Sequence, residues 1–309
     1  MELKDRRIQI LIYSFAYYKN INNGGATVMH YLAKIINDLN HKNFYAKIYT
    51  LDDKHYDNDL CNKHYDNDLC NEYLKRGEDI DYENTIVIYY ENCTNPLNAK
   101  HNIRWIWQQN LYHIIDHNKN DMIYFWDTFQ NNRFISNYRN NKTIKQLCCP
   151  YYNNIVYNKN KNNERIDTCV LFRKSWLYHK DVQYIHPSNS IVLDNLSLEE
   201  IVEVFNKCKY FYCYDPCTMF IIYAPICGCI TIIYPRSNML KDEYYKSQYL
   251  YFNNKIYNYA IAYGNSEEEI KFATDTLEEG EFMYKELFES YKDTVYDLLK
   301  DLEIYFKEN

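Results

Sequence analysis

The strongest constraint on this chain is a change of hydrophobic period within its first fifty residues. Ile8–Tyr13 (IQILIY) is a short apolar run after a charged start, which predicts a buried strand. The loop after it ends in Gly24-Gly25. Ala26, Met29, Leu32, Ala33, Ile36 and Leu39 then fall at spacings of 3, 3, 1, 3 and 3, one face of a helix. Phe44–Thr50 (FYAKIYT) alternates and predicts a second strand. Strand, glycine-bearing loop, helix and strand make a βαβ unit, and such a unit predicts a parallel sheet.

The pattern continues. Thr85–Tyr90, Ile103–Trp107, Met122–Trp126 and Thr143–Leu147 read as further strands, with a short helix expected in the NPLNAK segment. Tyr151–Glu164, rich in Asn and Lys, reads as a linker. A second α/β half then begins with Asp167–Phe172. Ser197 with Glu200 forms a capping box that opens a helix, and Lys209–Cys213 is a strand. Thr218–Ile226 is helix-like, Cys229–Ile233 is a strand, and Ser266 with Glu269 opens another helix. Glu281–Lys307 carries an amphipathic pattern that must dock on something. The fold expected is α/β, with two Rossmann-like domains facing each other across a cleft. The boundaries expected are 1–155, 165–280 and a final helix over 281–309. A length of 309 residues suits two domains.

Charge narrows the function. The net charge of −7 gives no basic excess to displace counterions, so no nucleic-acid partner is expected. The longest apolar runs fall far short of the roughly 20 residues that span a membrane. MELKDRRIQI has no long apolar stretch after its charges, so no signal peptide is expected. The chain holds 38 Asn and 36 Tyr but only 6 Gly and 9 Arg, a skew that makes each Gly and Arg more informative. Eleven cysteines, an odd number, point to free thiols in a reducing compartment, hence to the cytoplasm. Cys213, Cys217, Cys227 and Cys229 cluster in sequence. Their spacing suits small buried residues better than a tetrahedral zinc site, and no metal is expected.

KHYDNDLCN stands at 54–62 and again at 63–71. Its His, Asp and Cys could suggest a metal, but no glycine supplies the turn of a calcium loop. A duplicated surface insertion explains perfect identity better.

Open α/β sheets bind ligands at the carboxyl ends of their strands. The first loop lacks the G-x-G-x-x-G of a dinucleotide site, yet Gly24-Gly25 at a helix start lets a ligand approach free N–H groups. In YFYCYDPCTMFIIYAPICGCITIIYP (210–235) a strand delivers Tyr214 and Asp215 to its end. Thr218 then starts a helix, where it either bonds a diphosphate or only caps its own turn. Pro225 within that helix should kink it. Arg173 and Lys174 end the first strand of the second half. They either clamp a diphosphate or form a solvated basic pair. Arg104-Trp105 suits the core better than a sugar. His30 and His186 are candidate bases, and residue types alone do not choose a base among the nine histidines.

The blocks NGGATVMHYLAKIINDLNH, NPLNAKHNIRW, CVLFRKSW and YDPCTMFIIYAPICGCITIIYP, spanning Asn23 to Pro235, resemble short glycosyltransferases of bacteria and large DNA viruses. These have the two-Rossmann architecture called GT-B. Retaining GT-B enzymes carry two Glu eight positions apart before an A-x-x-x-G pattern. Here Ala224–Gly228 (APICG) fits the pattern, Asp215 stands at the first carboxylate and Tyr223 at the second. The resemblance implies a hexosyltransferase-like enzyme whose donor substrate is a nucleotide-diphosphate sugar, with no further cofactor and no metal. It implies an acceptor, a glycan or other hydroxyl compound, on the N-terminal half. It places the last helix at the domain junction or back on the first domain. It implies Asp215 as catalytic, and Arg173, Lys174, Tyr214, Thr218, Gly24 and Gly25 as donor-binding. A viral source would place the protein in the host cytoplasm. Tyr223 in place of a motif Glu leaves the anomeric outcome open. It also supports the alternative of a degenerate sugar- or nucleotide-binding protein. An epimerase is disfavoured by the missing dinucleotide fingerprint.

Overall fold

The computed structural model describes residues 7–14, 24–50, 74, 78–91, 93–107, 121–126, 144–152, 154–161, 164–179, 183–215, 217–235, 239–247 and 250–308. The KHYDNDLCN repeat and the loop before Gly24 lie outside them. The chain divides into two units, residues 1–151 with 290–309, and residues 152–289.

Unit 1 begins with β1 (Ile8–Ser14), α1 (Gly24–Asp38) and β2 (Phe44–Thr50), the βαβ element expected from the period change. β1 is buried along its whole length, as a central parallel strand must be. β2 alternates buried and half-buried residues, as an edge strand does. β3 (Thr85–Tyr90), β4 (His101–Ile106), β5 (Met122–Phe125) and β6 (Ile144–Gln146) complete a sheet of order β2-β1-β3-β4-β5-β6. Every pairing in it is parallel.

The helix expected in NPLNAK does not form. Asn95 instead folds that segment as a turn. Its Oδ1 accepts the Ala99 N–H at 2.9 Å, and its Nδ2 donates to the Ala99 carbonyl at 2.9 Å. An Asn side chain that satisfies nearby backbone in this way competes with helix.

Trp105 fills the core, its indole N–H donating to the Leu147 carbonyl at 2.8 Å. Arg104 is buried beside it. Nε meets Asp121 at 2.9 Å, and Nη1 donates to the carbonyls of Cys93 and Thr94. The guanidinium also lies 4.9 Å from the Tyr89 ring centroid. So neither residue of the Arg104-Trp105 pair is open to a sugar.

Unit 2 holds β7 (Asp167–Leu171), α2 (Ser175–Tyr178), β8 (Ile191–Val192), α3 (Leu198–Phe205) and β9 (Cys208–Cys213). Then come α4 (Phe220–Ile226), β10 (Ile230–Ile233), α5 (Lys241–Lys246), the antiparallel pair β11 (Tyr251–Phe252) and β12 (Lys255–Ile256), β13 (Ile261–Tyr263) and α6 (Glu267–Asp275). Its main sheet is parallel, of order β13-β10-β9-β7-β8. The box at Ser197 is complete, with Ser197 Oγ accepting the Glu200 N–H and Glu200 accepting the Ser197 N–H. At Ser266 only the serine half forms, because Glu269 is drawn to the Tyr263 N–H and to Lys241.

α7 (Leu277–Glu308) begins four residues earlier than the spacing predicts and runs through both units. Within unit 2, Tyr284 Oη donates to the Tyr259 carbonyl at 2.7 Å. Within unit 1, Val295, Leu298, Leu299 and Leu302 join the core formed by β1, β2 and α1. Each such buried aliphatic side chain contributes about 1.5–3 kcal/mol. That burial is the docking the amphipathic pattern required. No helix among the described residues is long and apolar enough to cross a membrane.

Candidate functional site

Strand order locates the site in unit 2. From β7 the sheet grows one way to β8 and the other way to β9, β10 and β13. The gap beyond the carboxyl ends of β7 and β9 is therefore a topological switch point, where open parallel sheets accept ligands. β7 ends at Leu171 and leads through Phe172 into Arg173 and Lys174. β9 ends at Cys213 and leads into Tyr214 and Asp215. The two strands are direct neighbours, with Leu171 paired to Cys213.

The turn after β7 is held by Asp194, which sequence reasoning missed. One carboxylate oxygen accepts the Phe172 N–H at 3.0 Å and the other accepts the Arg173 N–H at 2.6 Å. Arg173 adopts φ +30°, a left-handed conformation unusual outside glycine. Its guanidinium carbon lies 4.9 Å from the Phe220 ring centroid. Lys174 is exposed.

Asp215 is 2% exposed. Burial raises its carboxyl above the ordinary 3.8. The N–H of Cys217, the charges of Lys174 and Arg173, and the N–H of Lys174 act in the opposite direction. Asp215 Oδ1 accepts the Cys217 N–H at 3.1 Å, which fixes the turn. Two cations and one buried carboxylate thus converge where the strands end. Such a set can hold an anionic diphosphate on the cations while the carboxylate receives a hydroxyl.

α4 starts at Phe220, two residues later than the sequence predicts. Thr218 precedes it, buried, and its Oγ1 accepts the Phe220 N–H at 3.4 Å. α4 ends in a Schellman pattern. The Cys229 N–H reaches the Ala224 carbonyl at 2.8 Å, across Gly228 at φ +83°. A Cβ on Gly228 would sit 2.5 Å from Asn158 Nδ2 and 2.8 Å from Arg165 Nη2. Arg165 in turn donates to the carbonyls of Phe205 and Cys227 at 2.6 Å each, which closes the ends of α3 and α4. The glycine of the A-x-x-x-G pattern is thus demanded by backbone and space. Tyr223, at the second motif carboxylate, is buried with its ring 6.0 Å from Phe220.

Tyr214 is buried. Its hydroxyl accepts the Ile185 N–H at 2.8 Å and meets His186 Nδ1 at 3.0 Å. Its ring stacks on Phe172 at 5.4 Å and 19°. His186 is therefore part of an aromatic cluster, and burial lowers its pKa below the usual imidazole value. His30 is fully buried in α1.

Gly24 and Gly25 belong to unit 1, at the first turn of α1. A Cβ on Gly24 would meet nothing within 4 Å, so no packing contact demands that glycine. Unit 1 has its own switch point between β1 and β3, beyond which lies the buried Glu91. Glu91 Oε2 accepts the Trp107 N–H at 3.1 Å, and burial raises its carboxyl. Of the clustered cysteines, Cys213, Cys227 and Cys229 are buried thiols and Cys217 is exposed. Among the described residues no group of three or more His, Cys, Asp or Glu has the arrangement of a metal site.

No protein-family model matches the chain, and no curated protein matches its sequence. Solved structures do. The chain is similar to a sucrose-phosphate synthase from Thermosynechococcus elongatus, at 10% identity and a TM-score of 0.54, over 97% of this chain and 100% of that one. That likeness shows the fold, an α/β chain with parallel sheets of the GT-B-like kind. Two further similarities have TM-scores too low to add to it. One is to a DNA-modifying β-glucosyltransferase, at 10% identity and 0.47, covering 93% and 99% of the two chains. The other is to a putative UDP-N-acetylglucosamine 2-epimerase from Listeria monocytogenes, at 11% identity and 0.46, covering 99% and 98%.

Proposed function

We propose that the chain is a glycosyltransferase that moves a sugar from a nucleotide-diphosphate donor to an acceptor hydroxyl. The observation that carries this reading is the convergence of Arg173, Lys174 and Asp215 at the switch point of unit 2. In the reaction the acceptor hydroxyl gives up its proton to water and its oxygen bonds to the anomeric carbon. The bond from that carbon to the diphosphate oxygen breaks, and its electron pair leaves with the nucleoside diphosphate. Arg173 and Lys174 stabilise that growing charge. Asp215 orients donor hydroxyls, and Thr218 meets the phosphates ahead of α4. The nucleotide sugar is the substrate, and the reading needs no other cofactor. A hexosyl group, Gly24 and Gly25 as further donor-binding residues, and an acceptor on unit 1 are the finer parts of the same proposal.

A second reading, a sugar- or nucleotide-binding protein without turnover, is favoured by one observation. Tyr223 is buried where the retaining motif has a carboxylate. A melting-temperature panel with UDP, GDP, CDP and their sugars tests binding, since a ligand of the native state raises the midpoint. Release of nucleoside diphosphate from the sugar that binds separates the two readings. Binding with release supports the enzyme, and binding without release supports the binder. No shift with any of them contradicts both.

A further inference from the structure

We propose that Tyr184 is the stacking platform for the nucleobase of the ligand whose diphosphate Arg173 and Lys174 hold, an assignment that rests on the donor-site reading above. Tyr184 is 63% exposed, yet its ring is not loose. Its centroid lies 5.5 Å from Phe172, 5.4 Å from His186 and 5.6 Å from Tyr214. The interplanar angles are 79°, 67° and 83°, so all three neighbours meet it nearly edge to face. The backbone on either side is fixed as well. The Gln183 N–H donates to Tyr234 Oη at 3.4 Å and the Ile185 N–H to Tyr214 Oη at 2.8 Å. An exposed aromatic ring held this firmly has already lost the rotamer freedom that binding would otherwise remove.

Its position specifies the ligand chemistry. Phe172 directly precedes Arg173, and Tyr214 directly precedes Asp215. Tyr184 touches both, so its ring stands at the carboxyl ends of β7 and β9, against residues one position from the clamp on each strand. A flat apolar surface at the same end of the sheet as two cations matches the two parts of a nucleotide, a planar base and an anionic phosphate chain. Stacking is tolerant of base identity because every base has a π face. Tyr184 accordingly supplies affinity for the nucleoside, and other groups select the base.

Calorimetric titration of UDP, GDP, CDP and inorganic pyrophosphate into the parent, Tyr184→Ala, Tyr184→Phe and Trp176→Ala tests the assignment. Trp176 is a second exposed aromatic side chain, in α2 and outside the ring cluster. Tyr184→Ala is expected to weaken the nucleoside diphosphate that binds the parent by about tenfold or more, since stacking on one base supplies that much. Tyr184→Phe keeps the ring and the affinity. Pyrophosphate binding is unchanged in both variants, and Trp176→Ala binds like the parent. Equal loss of pyrophosphate and nucleotide in Tyr184→Ala overturns the assignment, because the ring then only props the clamp. So does loss in Trp176→Ala with none in Tyr184→Ala. If the parent binds no nucleoside diphosphate, the donor reading fails and this assignment with it. If the parent binds one and Tyr184→Ala binds it equally, this assignment alone fails.

Discussion

Asp194 holds Arg173 in a left-handed turn, accepting its main-chain N–H at 2.6 Å while the φ of Arg173 stays at +30°. A side chain in that region costs roughly 1–2 kcal/mol, which the two N–H bonds to Asp194 offset. The strain sits at the residue proposed to meet the diphosphate. Arg173→Gly relieves the strain and removes the guanidinium together. The variant should melt no lower than the parent, yet bind nucleoside diphosphate about ten- to a hundredfold more weakly, as loss of one charge-assisted contact does. Lys174→Ala should weaken binding likewise, with no change in melting. Unchanged affinity in both variants would make the pair solvated surface.

Asp194→Ala acts from the other side. It leaves the Phe172 and Arg173 N–H groups without their carboxylate. The expected loss is about 1–3 kcal/mol of stability, accompanied by weaker nucleotide binding through the displaced Arg173 turn. Denaturant midpoints and titrations on the same preparation read both effects.

The A-x-x-x-G glycine has a structural task that its motif does not reveal. Gly228→Ala would place a methyl against Asn158 and Arg165 at a residue with φ +83°. Left-handed strain and overpacking together predict a loss of about 2–4 kcal/mol, seen as a lowered denaturant midpoint. Parent-like stability would contradict the close approach.

In unit 1 the Arg104–Asp121 pair is buried on both sides, with 3% and 2% of the side chains exposed. Arg104→Leu takes the cation from Asp121, which keeps the Asn102 amide at 3.3 Å, and takes the guanidinium from the Cys93 and Thr94 carbonyls. Breaking such a pair from one side should cost about 3–5 kcal/mol. A thermal melt that barely moves would show that the guanidinium is dispensable there.

These contacts also show what the sequence could and could not reveal. Local periods were readable. β1, α1 and β3 stand where their apolar residues put them, and the Ser197 box caps α3 because both of its partners lie within three residues. Arg173, Lys174 and Asp215 could be singled out in the sequence because each falls within three residues of the end of an apolar strand, and their roles belong to the proposal. Asp194 was not, since it pairs with a turn 21 residues away and no local pattern marks it. Tyr184 is one of 36 tyrosines, and only the ring contacts distinguish it. The NPLNAK segment misled because helix-compatible residues surround an Asn95 that bonds the backbone itself.

The proposed function requires a nucleotide sugar to bind where Asp215 and Thr218 stand. Donor affinity measured with stability on Asp215→Asn and Thr218→Val tests it most directly. Asp215 titrates above its ordinary 3.8 because it is buried, so its folded form favours the proton. Its contribution to stability is full in acid and is lost as pH rises through the raised value. Asp215→Asn keeps the oxygen that receives the Cys217 N–H and removes the buried charge. At neutral pH it should be at least as stable as the parent, and that difference should shrink as pH falls toward 3.8. Thr218→Val gives up one bond to the Phe220 N–H, worth about 0.5–2 kcal/mol. The account predicts that both variants lose donor binding, Asp215→Asn with no loss of stability. Parent-like donor affinity in both variants, with lowered melting temperatures, would contradict it, because the two residues would then only shape the turn between β9 and α4.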